Sequence, residues 1–207
     1  MGFEHCAIGV RMAYPVSRPR VEIFSSYCRD WQAHYVEQGY ILRDPSVRHG
    51  QLSCAPRVWD EALLAEHPQM WAEARSAGLR HGWFKSTIES CGAGSMLTLA
   101  REAEPVSESE LRANGERMNW LAHAAHLALN KALLPDGLRK SQTGLTAREV
   151  EVLRWTADGK SSSEIADILT ISDNTVNFHI KNAVRKLRTN NKTSATVRAA
   201  MLGLLAC

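Results

Sequence analysis

Two stretches of this sequence concentrate side chains able to recognise other molecules. Asn174, Asn177, Lys181, Arg185 and Arg188 recur at intervals of three or four, which on a helix lines amides and cations along one face. Amide and ammonium groups hydrogen-bond to base edges, and guanidinium groups toward the end of the same helix meet phosphates. Taken alone, such a stripe is also what a solvated helix face looks like. The second stretch is Tyr27-x3-Trp31-x3-Tyr35-x4-Tyr40-x3-Asp44-Pro45, with Trp59 beyond it. On a helix, Tyr27, Trp31 and Tyr35 stack at i, i+4 and i+8 on one face. Aromatic stripes ordinarily fill a core, but a carboxylate beside them is costly to bury unless a donor reaches it, and a ligand amide N–H would serve. Indole N–H and phenol O–H groups set in apolar walls suit an amphipathic ligand that carries carbonyl groups.

The elements that must hold the first stretch announce themselves. Thr146-Ala147-Arg148-Glu149 and Ser161-Ser162-Ser163-Glu164 are capping boxes, in which hydroxyl and carboxylate each satisfy a backbone N–H left over at a helix start. Gly159 ends the first of these helices. A second helix, Ser163 to Leu169, buries Ile165, Ala166 and Leu169, and ISDN supplies a turn and a cap at Ser172 or Asp173. A third runs to about Leu187, with Val176, Ile180, Ala183, Val184 and Leu187 as its apolar stripe opposite the amides and cations. A fourth starts near Thr193 and includes Val197, Ala200, Met201 and Leu204. A short helix, a tight turn and a longer polar-faced helix make a helix-turn-helix, which presents one helix to the major groove. The pattern predicts DNA binding.

Before it, the sequence LPDGLRKSQTG predicts a linker over 134–145. The first part mixes periods of two and of three to four. Residues 5–12, 21–27 and 95–102 read as strands, with Cys6, Ile8, Val10 and Met12 on one face of the first. Residues 28–38 and 68–78 are short helix candidates, and a long helix opens at the capping box Ser107 to Glu110 and ends near Ala132. The expected architecture is an α+β domain over 1–133, an antiparallel sheet sandwiched by helices, followed by an all-α four-helix domain over 146–207.

Composition fits this division. The 207 residues are 44% hydrophobic and 23% charged, an ordinary globular make-up. The net charge of +3 lies wholly after residue 140: residues 1–140 carry 16 basic and 16 acidic side chains, residues 141–207 carry 9 and 6. No apolar run approaches the ~20 residues that span a bilayer, and Met1 is not followed by a signal-type segment, so a soluble cytoplasmic protein without membrane partners is expected. The 5 scattered cysteines lack C-x-x-C spacing and predict reduced, mostly buried thiols. His123-x-x-His126 has no third ligand in view and reads as structural, Gly92-Ala93-Gly94 reads as a turn, and Cys28 as a neighbour of the aromatic stripe. No catalytic triad, metal site or cofactor motif is evident. A phosphoacceptor domain is excluded because the first strand ends RMAYPVSRP, without paired acidic residues.

Residues 145–205 resemble the DNA-binding domain of LuxR-type bacterial transcription regulators, in Glu149, Leu153, Gly159, Glu164-Ile165-Ala166, Asn174-Thr175-Val176 and Lys186-Leu187. The resemblance implies base contacts from Asn177 and Lys181, backbone contacts from Lys160, Ser163, Thr175, Arg185 and Lys192, a dimer contact on the fourth helix, and RNA polymerase as a partner. Tyr27, Trp31, Tyr35, Asp44-Pro45, Trp59 and Gly82 are similar in spacing to the autoinducer-binding domain of the family's acyl-homoserine-lactone receptors. That implies Trp31 donating to the lactone carbonyl, Asp44 accepting from the ligand amide, Tyr27 and Thr98 bonding the acyl carbonyl, and Tyr35 and Trp59 as walls. Gln32 stands where some members carry Arg, and the helical segment that usually precedes the first strand is missing ahead of Phe3. The expectation is a homodimeric quorum-sensing regulator that binds the lactone and a palindromic double-stranded DNA site. The alternative is a LuxR-type regulator controlled by a protein partner or a different small molecule.

Overall fold

The computed structural model describes residues 1–12, 15, 17–89, 93–133 and 144–205. These fall into two compact units, one reaching Lys131 and the other comprising the remainder. Most of the expected linker, 134–143, lies outside the described residues, as do Cys91, Cys207 and Gly92 of the expected turn.

In the first unit β1 (His5–Met12) and β2 (Arg20–Ser25) lead into α1 (Arg29–Glu37), a 3-10 turn Tyr40–Leu42 and α2 (Pro45–Leu52). Then come β3 (Arg57–Val58), α3 (Glu61–Ala65), α4 (Pro68–Ser76), β4 (His81–Ile88), β5 (Gly94–Arg101) and the long α5 (Glu108–Leu133). The strands form an antiparallel sheet in the order β2-β1-β5-β4-β3.

Alternation along the strands divides the sheet into two faces. Trp83, Leu97 and Leu99 pack with Met118 and Ala122 of α5, joined by Ile8 of β1. Phe84, Met96 and Ala100 point the other way, into a core with Trp31, Tyr40, Leu63, Met70 and Trp71 from the shorter helices. The sheet is therefore sandwiched by helices, as expected. Strand β4 escaped the period-two reading because Gly82, Trp83 and Phe84 are buried in succession, and a strand covered on both faces shows no alternation.

Side chains on α5 fasten it to the sheet. Ser107 accepts from the Glu110 N–H at 3.2 Å, while the Glu110 carboxylate takes two bonds from Arg101 at 3.0 and 2.6 Å. His126, 3% exposed, lies 2.9 Å from Ser95 Oγ and 3.2 Å from Glu89 Oε1. This order mimics a nucleophile, base and acid, but Ser95 is buried between sheet and helix, out of a substrate's reach. Among the described residues no group of three or more His, Cys, Asp or Glu is placed to hold a metal ion, and no helix is long and apolar enough to cross a membrane.

The second unit consists of α6 (Ala147–Ala157), α7 (Ser162–Leu169), α8 (Asp173–Lys186) and α9 (Lys192–Met201). Both capping boxes form, on Thr146 and Ser161, and Ser172 caps α8. Gly159 turns the chain after α6 at φ 85°, a conformation that suits a residue without Cβ. Two expectations are corrected here. Helix α9 contains Val197, Ala200 and Met201 but ends at Met201, so Leu204, expected within it, lies past its end; its buried residues are Ala195, Thr196 and Ala199. Cys6, Cys28 and Cys54 are exposed free thiols, not buried ones: Cys6 lies near the start of β1, Cys28 at the start of α1 and Cys54 in a loop.

Glu149 joins the elements of this unit. It is 3% exposed, its Oε2 accepts from the Thr146 N–H at 2.7 Å, and Lys186 of α8 donates to both its oxygens at 3.0 and 2.8 Å. Burial alone would raise its pKa, but the bonds from Lys186 and Thr146 outweigh that and hold the carboxyl below its ordinary value. Glu149→Ala is expected to cost the second unit about 2–3 kcal/mol, from a lost cap and a lost charged hydrogen bond. Urea melts followed by circular dichroism would measure it. With a depressed folded pKa, this stabilisation is present above the ordinary carboxylate range and is lost as pH falls below it.

Candidate functional site

The aromatic stripe and its carboxylate converge on the sheet face of Phe84, Met96 and Ala100. Trp31 and Tyr35, one turn apart on α1, have ring centroids 5.9 Å apart, and Tyr40 from the following turn stacks on Trp31 at 6.2 Å and meets Tyr35 edge-on at 5.9 Å. Tyr27 is not on the helix: Cys28 is the N-cap of α1, so the i, i+4, i+8 stack breaks at its first member. The Tyr27 ring instead meets His5 of β1 edge-on at 6.1 Å, and Gln32 Nε2 donates to the Tyr27 carbonyl at 2.6 Å, fastening the corner between strand and helix. Cys28 is accordingly exposed, not a lining residue.

Asp44 is 8% exposed and serves as the N-cap of α2, with Pro45 at the first helical position. Its Oδ1 accepts from the Ser46 N–H at 2.8 Å and the Ser46 hydroxyl at 2.5 Å, and its Oδ2 from the Tyr35 hydroxyl at 2.9 Å. The chain's own donors thus meet the demand that the sequence reading assigned to a ligand amide. Tyr35, expected as a wall, is also a hydrogen-bond donor. Burial pushes the Asp44 carboxyl above its ordinary value, against the pull of Ser46 and Tyr35. It likewise drives the Tyr35 and Tyr27 phenols far above theirs, with Asp44 adding to the effect, so both hydroxyls stay protonated and able to donate.

Trp59 covers the sheet end of the cluster. Its ring lies against Trp71 at 4.9 Å and so close over Gly82 that a Cβ there would fall 2.6 Å from the indole. The Nε1 atoms of Trp59 and Trp71 are buried without a hydrogen-bond partner among the described residues. A buried N–H without an acceptor bears its full desolvation cost, which a carbonyl entering this site would relieve. Thr98 is buried on β5, on the face shared by Met96 and Ala100. At the rim, Glu73 of α4 accepts from Tyr40 at 2.5 Å and lies 2.8 Å from His34 of α1; these bonds lower its pKa to about 2. Two open grooves lie elsewhere, one lined by Phe3, Glu4 and Cys6, the other by Glu116, Arg117 and Trp120. Within the cluster the rings of Trp31, Tyr35 and Tyr40 pack against one another.

Sequence reading missed Ser46, Trp71 and Met70. Ser46 follows an Asp-Pro pair, itself a helix-start signal, and Met70, Trp71 and Ala74 fall on the buried side of α4.

In the second unit α8 buries Val176, Ile180 and Ala183 and turns Asn174, Asn177, Lys181 and Arg185 to solvent. Arg188 is exposed beyond the helix end at φ 52°. Asn177 Oδ1 accepts from Ser162 at 3.0 Å, which leaves its amide N–H groups directed away from that bond. Ser163 is exposed in the first turn of α7, and Lys192 is half-buried at the start of α9. Three other expected contacts carry internal partners: Lys160 Nζ reaches Glu164 at 3.3 Å, Thr175 Oγ1 lies 2.8 Å from Ser172 Oγ, and Arg185 donates to Asn182 at 3.2 Å.

Comparisons with known proteins agree along the whole chain. Residues 1–129 match the autoinducer binding domain family, and residues 143–199 match the family described as bacterial regulatory proteins, luxR family. The transcriptional activator protein AnoR of Acinetobacter nosocomialis is 42% identical over 99% of this chain and 87% of its own length. The quorum-sensing regulator RhlR of Pseudomonas aeruginosa is 37% identical over 99% of this chain and 85% of its own. The crystal structure of Escherichia coli SdiA superposes with a TM-score of 0.80 at 31% identity, covering 99% of this chain and 86% of SdiA. SdiA has also been solved in complex with octanoyl-rac-glycerol.

Gly82→Ala is expected to displace the Trp59 indole and cost the first unit about 1–3 kcal/mol, the usual penalty of overpacking. Urea denaturation measures the loss, and near-ultraviolet circular dichroism reports the displaced indole.

Proposed function

Because the chain belongs to the luxR family of bacterial regulatory proteins and carries that family's autoinducer-binding domain, we propose that it is a homodimeric quorum-sensing regulator whose first unit binds an N-acyl-homoserine lactone. Family membership makes it an autoinducer-binding and DNA-binding transcription regulator and not an enzyme, and the autoinducer is an effector with no separate cofactor. The proposed sensor spans residues 1–133 and the reader residues 146–207, joined by the linker 134–145.

The observation that supports the lactone reading is the aromatic cluster around Asp44, a buried carboxylate bonded to Tyr35 and surrounded by the rings of Trp31, Tyr35 and Tyr40. In the proposed complex Trp31 donates to the lactone carbonyl and Asp44 accepts from the amide N–H through the face of Oδ2 that Tyr35 leaves open. Tyr27 and Thr98 bond the acyl carbonyl, and Tyr35 and Trp59 flank the acyl chain. The rings must part to admit that chain, so the ligand replaces ring-to-ring contact with its own apolar surface. A ligand that binds the folded sensor at 100 times its Kd adds about 2.7 kcal/mol to the sensor's stability. That gain is the proposed route from lactone to dimer to operator.

On α5, Trp120 and Leu127 are 70% and 56% exposed two turns apart, a stripe that a second copy would cover. A two-fold dimer then reads a palindrome with half-sites about 10 base pairs apart. Asn174, Asn177 and Lys181 are the proposed base readers, and Lys160, Ser163, Thr175, Arg185 and Lys192 the proposed backbone contacts. RNA polymerase is the expected partner once the dimer is seated, and the cytoplasm the expected location. The complex of SdiA with octanoyl-rac-glycerol favours a second reading, in which an acylated small molecule without a lactone ring takes the site.

Asp44→Asn separates the two roles of Asp44. Asparagine still caps α2, but its amide turns donors toward the ligand N–H. The rise in melting temperature on adding N-octanoyl-homoserine lactone is expected to disappear in this variant while the unliganded melting temperature stays within a few degrees. A preserved shift would remove Asp44 from the ligand's partners, and a shift with octanoylglycerol alone would favour the second reading. Lys181→Ala should cost about 1–3 kcal/mol in operator affinity and relax preference at one base pair, read by competition binding against single-position variants. Uniform weakening at every position would make Lys181 a phosphate contact.

A further inference from the structure

The reading face of α8 carries one side chain that does not match its neighbours. Phe178 is 61% exposed, and it follows Asn174 by four residues and precedes Lys181 by three. On a helix this places it on the face of Asn174, Asn177, Lys181 and Arg185. Folding does not require it there. The core-facing stripe of Val176, Ile180 and Ala183 is complete without it, and the Phe178 ring meets His179 only edge-on, at 5.8 Å. Unlike the other exposed apolar side chains, this ring stands in the middle of a polar, cationic helix face, where it would meet any apolar group on the surface that this face contacts.

In the major groove the largest such group is a methyl. Thymine presents a C5 methyl group there, the one methyl on the major-groove edges of the unmodified base pairs, where cytosine carries only a hydrogen at the same carbon. We infer that Phe178 is a specificity-determining residue that packs on a thymine methyl, at a position beside the base pair read by Asn177 and Lys181. The inference rests on α8 being the base-reading helix. It divides the labour along that face: amide and ammonium groups read hydrogen-bonding edges, and the ring distinguishes thymine from cytosine, which offers no methyl. The alternative occupant of an exposed aromatic residue, a protein surface, would leave binding indifferent to that methyl.

Replacing thymine by deoxyuridine removes the methyl and leaves every hydrogen-bonding group in place. Duplexes would be selected from a random pool by the full chain, with N-octanoyl-homoserine lactone and without it, and each selected thymine replaced in turn. At one position in each half-site the wild type is expected to lose about fourfold in affinity, the factor given by roughly 0.8 kcal/mol for one buried methyl-sized group. Phe178→Ala should bind the thymine duplex more weakly by at least that factor and lose the distinction between thymine and uracil there. Asn177→Ala should retain it, and Phe178→Leu should retain part. A wild type indifferent to the methyl at every position would overturn the proposal, and so would a Phe178→Ala protein as sensitive as the wild type. Altered sedimentation of Phe178→Ala with unchanged DNA binding would overturn it in favour of a protein contact. Should Phe178→Ala fail to fold, the wild-type uracil scan and Phe178→Leu still decide. Recovery of no duplex in either arm would remove the premise that α8 reads bases, a failure distinct from indifference to the methyl.

Discussion

A carboxylate buried beneath aromatic rings has to be surrounded by donors, and that requirement organises the first unit. Asp44 meets it by serving two elements at once, capping α2 through Ser46 and receiving the Tyr35 hydroxyl from α1. The two helices are thereby set at fixed distances from one charge, and Trp31 and Tyr40 pack where they do because Tyr35 is anchored. Glu73 repeats the device at the rim, binding Tyr40 and His34. The site is therefore rigid in its polar frame, while its apolar filling consists of rings in mutual contact. Rings can slide past each other at modest cost, but a buried carboxylate cannot shed a donor so cheaply.

The second unit solves a related problem by other means. Its helices start on their own hydroxyls, and Glu149 converts one of those starts into a tie between α6 and α8. Lys186 is thus turned inward and withdrawn from the reading face, as Lys160 is partly withdrawn by Glu164. The sequence counts the cations of this unit, but the fold decides which of them face a polyanion.

What could be read before the structure was whatever is encoded locally. Capping boxes, the turn before Ser172 and the apolar stripe of α8 each lie within a few residues, so their chemistry is complete in the sequence. The grouping of Tyr27, Trp31, Tyr35, Asp44 and Trp59 was legible as spacing, but not the way in which they meet. Whether Tyr27 belonged to α1 depended on where the chain turns out of β2, which a bond from Gln32 decides. Whether Asp44 awaited a ligand depended on Ser46 and Tyr35 turning toward it, a tertiary fact. Strand β4 was hidden because burial on both faces erases alternation, and Cys6 and Cys28 were misplaced because composition says nothing about which parts of a strand or helix start stay uncovered.

The register of the sheet carries a consequence for how the protein is made. Strand β1 pairs with β5 from His5, opposite Ala100, to Arg11, opposite Gly94, so the earliest of these five strands in the sequence waits for the last. Closing so long a loop before its contacts repay the cost slows folding. Until then β1 can hold only β2, and the aromatic cluster has no floor against which to settle. The four helices of the second unit, built from neighbours in sequence, face no such delay. During synthesis the rings of Trp31, Tyr35 and Tyr40 are thus made before β4 and β5, which supply the sheet face they pack on.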